Sequence, residues 1–167
     1  MSAGIMDPST ILNVDLVQRA LDIAEPSIMR LFGVHEPGIV WGPKYLVIVV
    51  THPALRIPVM RKFGTTNPWH GDWGAIEDFE KIAIWKAEAA QREGKPTSEL
   101  TLMCPWDHEH GDYLYPGGVV EGKLAVGASG INGFGDETVA YIILDLIEGF
   151  CKRKREQLYE NRVEQLA

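Results

Sequence analysis

Tyr115-Pro-Gly-Gly-Val-Val-Glu121-Gly-Lys-Leu-Ala-Val-Gly127-Ala-Ser-Gly130-Ile-Asn-Gly-Phe-Gly-Asp136-Glu-Thr-Val-Ala140-Tyr-Ile-Ile-Leu-Asp-Leu146 opens on a glycine pair and closes on an apolar helix. Gly117 and Gly118 lead in, Glu121-Gly122 predicts a tight turn, and Lys123 to Ser129 predicts a short strand of small residues. Leu124, Val126 and Ala128 fall on one face of that strand. Asp136 stands where a helix N-cap is expected, because Val139, Ile142, Ile143, Leu146, Ile147 and Phe150 follow at helical spacing. A strand that hands bare backbone amides to a helix start is a place where a ligand can be held.

Upstream, Asn13 is placed to cap a helix whose apolar side runs Val14, Val17, Ala20, Leu21, Ala24, Ile28 and Leu31, with Gly33 as its stop. Pro26 inside the pattern predicts a kink or a split, since it lacks an amide proton. His35 to Gly38 reads as a loop, and Ile39-Val40-Trp41 as a short edge strand. Tyr45-Leu-Val-Ile-Val-Val-Thr51 is continuously apolar and β-branched, which predicts a central strand covered on both faces. Leu55 to Phe63 should return beside it as a hairpin, with Pro58 requiring an edge position or a bulge.

Gly64 to Glu77 places Trp69 and Trp73 in a loop, which should lie over the protein's own core, a neighbouring subunit or a ligand. Asp78 is expected to cap a helix carrying Phe79, Ile82, Ala83, Trp85, Ala87 and Ala90, ending at Gly94 before Pro96. Thr101 to Cys104 reads as a short extended segment, and Pro105 to Tyr115 as a polar, histidine-rich loop. Hairpin-joined strands with helices grouped between them predict an α+β domain with a mostly antiparallel sheet. One domain is expected over 1–167, with a loose arm over 1–12 and a helical extension over 152–167.

The formal charge of −7 argues against a generic nucleic-acid or acidic-membrane binder, whose affinity rests on clustered Lys and Arg. The basic run Lys152-Arg153-Lys154-Arg155 follows a helix and carries no interleaved aromatics, so it reads as a solvated, dipole-complementing tail. Two cysteines form no disulfide framework, and the first residues show neither the basic region nor the apolar run of a signal peptide. A cytoplasmic protein is the expectation.

Three stretches resemble the GlcG/HbpS-like haem-degrading-domain family, which includes the carboxy-terminal domain of PduO-type proteins. The first runs from Phe79 through Lys86-Ala87 to Thr97-Ser98-Glu99-Leu100; the second is Gly117-Gly118 with Glu121-Gly122 and Val126-Gly127-Ala128-Ser129-Gly130; the third is Asp136-Glu137 with Ala140. The resemblance implies a profilin-like fold, homo-oligomeric assembly, and a small-molecule ligand such as haem or another tetrapyrrole. Arg61 lies near the family's usual arginine.

The chemistry-bearing residues cluster in Asp107-His108-Glu109-His110-Gly-Asp112, with His70 and Asp72 as partners. His108, His110, His70 and Asp112 are the residue types for a Zn, Fe or Ni site, because alternate imidazoles on an extended segment share a face. Without metal, His108, His110 and Asp107 are suited to acid/base turnover of a small organic acid, with Arg61 and Lys86 holding its charge. A haem reading uses His108 or His52 on iron, Trp69 and Trp73 against the macrocycle, and Arg61 or Lys86 on the propionates. Gly117, Gly118 and Ser129 line the expected cradle. No nucleotide cofactor is expected, since neither a P-loop nor a dinucleotide fingerprint is present.

Overall fold

The computed structural model describes residues 11–32, 35–36, 39–40, 45–64, 76–107, 109 and 115–166. Helix α1 (Val14–Leu31) is followed by β1 (His35–Glu36) and β2 (Ile39–Val40), then β3 (Tyr45–Thr51) and β4 (Val59–Gly64). Helix α2 (Ile76–Glu93), helix α3 (Thr97–Met103) and a 3-10 turn (Pro105–Asp107) lead to β5 (Gly118–Glu121), β6 (Leu124–Ser129) and α4 (Gly133–Leu166). Strands β4-β3-β6-β5 form an antiparallel sheet in that order, with β1 and β2 as a separate two-stranded ribbon. The fold is α+β, as the hairpin spacing predicts.

Every residue of β3 is buried, and the strand lies between β4 and β6. Its alternate side chains divide between two layers. Leu46, Ile48 and Val50 join Val59, Phe63, Leu124, Val126 and Ala128 in one cluster with Val17, Leu21 and Ile28 of α1 and Val139, Ile143 and Ile147 of α4. Tyr45, Val47 and Val49 meet Ala83 of α2 on the other face. The sheet is thus covered by α1 and α4 on one side and by α2 on the other.

Several sequence expectations change. Ile11 and Leu12, assigned to the loose arm, are buried in the core. Pro26 does not split α1, which runs unbroken from its Asn13 cap; the ring sits on the exposed side of the helix. His35–Glu36 pairs with Ile39–Val40 instead of forming a loop. Helix α2 begins at Ile76, two residues before the expected cap Asp78, because acidic residues suit the whole first turn of a helix and do not single out one position. Thr101 to Cys104 is not extended: Thr101, Leu102 and Met103 are helical, since α3 starts directly after Pro96 and keeps Leu100 inward. Residue 33 and the tryptophan loop over 65–75 lie outside the described residues.

Helix α4 starts at Gly133, so Asp136 lies within its first turn instead of capping it. The capping bond comes from Asn132, whose Oδ1 accepts from the Gly135 N–H at 2.8 Å. Asp136 is thereby released for a different task.

Candidate functional site

A bare patch on the sheet determines where the polar groups gather. Gly118 and Gly127 stand directly opposite each other across β5 and β6. A Cβ on Gly127 would strike the Ala83 carbonyl, and one on Gly118 would strike the Lys86 carbonyl. The helix backbone therefore occupies the space that side chains would need, and Ala83, Ala87 and Ala90 make the same approach from the helix side. Lys86 falls on this alanine stripe, so its side chain is pressed against the sheet and only 2 % exposed.

A cation buried this deeply needs hydrogen-bonding partners and a counter-charge. Lys86 Nζ donates to the Ala128 carbonyl and to Asp136 Oδ2, each at 3.0 Å. The other Asp136 oxygen, Oδ1, accepts from the Ile131 N–H at 2.8 Å. Burial pushes the Asp136 carboxyl up to about 6, against the opposing pull of Lys86 and the backbone amides of Ile131 and Gly130. Gly117 closes over the pair: its φ is +138°, and a Cβ there would lie 2.6 Å from the Ala128 oxygen and 2.7 Å from Lys86 Nζ.

Two further contacts extend this buried knot. Thr97 Oγ1 accepts from the Gly118 N–H at 2.9 Å, satisfying an amide on an edge strand. Glu137 accepts from the Ser98 N–H at 3.1 Å and from its hydroxyl at 2.6 Å, which supplies α3 with the side-chain cap that Pro96 lacks. The Lys-Ala helix, the Gly-Gly strand and the acidic start of α4, far apart in the chain, meet within one set of bonds.

The remaining predicted residues are dispersed. Arg61 lies between Val59 and Phe63 on the α1 side of the sheet, where its guanidinium binds Asp22 at 2.6 Å and approaches Glu25 at 3.9 Å. Lys86 occupies the opposite face, so the two cations cannot clamp one small ligand. Arg61 is held in a partly exposed ion pair, and Lys86 is in a buried one instead of the open anchor for a ligand's charge that the sequence suggests. Ser129 is buried at the end of β6, beside Val47 in register. Asp107 pairs with Lys95 at 3.5 Å, and the Cys104 sulfur lies 3.6 Å from the same ammonium.

His52 is a poor iron ligand in this arrangement. Its Nδ1 accepts from the Ala54 N–H at 2.9 Å, which puts the proton of the neutral ring on Nε2 and leaves no free lone pair. Burial, with a smaller effect from Lys123, lowers its pKa and favours that neutral ring. Among the described residues, no three His, Cys, Asp or Glu side chains gather to hold a metal. His70, His108, His110, Asp112, Trp69 and Trp73 lie outside the described residues.

Sequence reasoning missed the roles of Asp136, Thr97 and Glu137. A lysine inside an alanine stripe was the available signal, since such a residue must find a counter-charge across the interface. No helix of the described residues is long and apolar enough to cross a membrane. The chain matches no family model, no curated protein and no solved structure.

Proposed function

We propose that this chain is a small-molecule-binding protein of the GlcG/HbpS-like type, with haem or another tetrapyrrole as its ligand class. The observation that carries the reading is the convergence at Lys86 and Asp136. The three stretches that resemble the family in sequence are mutually bonded in space: Lys86 to Ala128 and Asp136, Thr97 to Gly118, and Ser98 to Glu137. Residues that a fold needs for its own closure would show this joint placement.

In this reading the knot is architectural; His108 would hold the haem iron, and Trp69 and Trp73 would supply apolar contact to the macrocycle. The propionate-binding role falls away from Arg61 and Lys86, because each is already engaged with carboxylates on opposite faces of the sheet. Assembly into a homo-oligomer and a cytoplasmic location accompany the proposal.

Titration of the purified protein with hemin tests it. A Soret band that shifts and saturates at about one equivalent, and that His108→Ala shifts or abolishes, is the expected result. A spectrum that rises linearly as free hemin, unchanged by His108→Ala, overturns the haem assignment.

A further inference from the structure

We propose that the apolar face formed by Leu102, Met103 and Trp106 with Phe134 and Tyr141 is the seat of a second copy of this chain, docked about a two-fold axis. The proposal rests on the homo-oligomeric part of the reading above and is independent of its ligand. Leu102 and Met103 end α3 at 69 % exposure each, and Trp106, in the 3-10 turn that follows, is 76 % exposed. Three large apolar side chains within five residues make a patch, unlike the single exposures that any protein surface carries.

The bonds between α3 and α4 make this patch continuous with a second group. Ser98 and Leu102 are one turn apart on α3 and so share a face. Ser98 is bonded to Glu137, and Phe134 and Tyr141 lie one turn before and one turn after Glu137 on α4. Both aromatic side chains are exposed. None of the five residues belongs to either apolar cluster of the sheet, so the face adds nothing to the closure of the monomer.

Size and charge select a second copy as the occupant. The five side chains present about 600 Å², at the upper end of what an ordinary monomer leaves open and close to the roughly 800 Å² that each partner of a stable complex contributes. The charged rim supplies the remainder. Asp107 and Glu109, next to Trp106 in the chain, pair with Lys95 and Arg92, each at 3.5 Å. Around Tyr141 stand the carboxylates of Glu99 and Asp145. The cations are thus at the Trp106 end, and the Tyr141 end is acidic. A two-fold axis lays opposite ends of two copies side by side, which brings Lys95 and Arg92 of each toward Glu99 and Asp145 of the other. The formal charge of −7 disfavours anionic lipid and nucleic acid on the same face.

Light scattering and sedimentation of the full chain between about 1 and about 200 μM test the face. Wild type should assemble, with a urea midpoint that rises with protein concentration. Trp106→Glu and Leu102→Glu each place a charge in the face at a position the monomer leaves exposed. Each should weaken association by about thirtyfold or more and lower the subunit number, while keeping the circular-dichroism spectrum of wild type. A wild type that stays monomeric throughout overturns both this inference and the homo-oligomeric reading. A wild type whose assembled mass both variants retain overturns the face alone and leaves that reading standing. Monomeric protein that binds neutral phosphatidylcholine vesicles, and ceases to do so on Trp106→Glu, assigns the face to lipid and overturns the second copy.

Discussion

At the residue scale, glycines in this chain carry separable loads. Gly117 and Gly122 both have positive φ, +138° and +59°, but only Gly117 faces occupied space. Gly117→Ala therefore combines backbone strain with collision against Ala128 and Lys86, and should cost about 3 kcal/mol or more. Gly122→Ala meets nothing within 4 Å and should cost only about 1 kcal/mol, the left-handed penalty alone. Urea midpoints of the two variants measure the difference; equal losses would mean that Gly117 does not seal the Lys86 pair. The sequence showed both as turn or cradle glycines. It did not distinguish them, because the obstructing atoms belong to Ala128 and Lys86, which come close to Gly117 only once α2 packs on the sheet.

At the element scale, the start of α4 was only half legible. Its apolar spacing located the helix, but three polar candidates, Asn132, Asp136 and Glu137, compete near its first turn, and local sequence does not reveal which one faces another helix. The answer depends on how closely α2 approaches the sheet, which Gly118 and Gly127 determine. The same arrangement predicts an uncommon pH dependence. A folded-state carboxyl raised from 3.8 to about 6 binds its proton more tightly than the unfolded chain does. Its contribution to stability is fully present below 3.8 and is lost as pH rises through about 6. Wild type should therefore gain on Asp136→Asn as pH falls from about 7.5 to about 4, by up to about 3 kcal/mol. Chemical denaturation of both proteins across that range checks the sign, and a growing advantage of wild type at high pH would contradict it.

At the scale of the whole molecule, the central place of β3 was legible because Leu46 to Val50 are apolar without a break, and only a central strand has both faces covered. The pairing of β3 with β6 was not, since antiparallel neighbours separated by two helices leave no mark in local pattern. The predicted helical continuation past Cys151 is present, and its length makes a mechanical point. A helix of 34 residues spans about 51 Å, whereas strands of six or seven residues span about 20 Å. Burial against the core ends with Ile147, with Phe150 and Cys151 only partly covered. The ion pairs beyond it, Lys152 with Glu148 and Arg153 with Glu156, are exposed and screened by water, so they do little to hold the fold. A chain ending at Lys152 should therefore keep its stability to within about 1 kcal/mol of the full protein, because none of the side chains described over 153–161 is buried. Light scattering of the same shortened chain tests the proposed homo-oligomer: a lower subunit number with an unchanged midpoint assigns the overhanging helix to contacts between copies. A large loss of stability with no change in mass would instead show that the overhang supports its own domain.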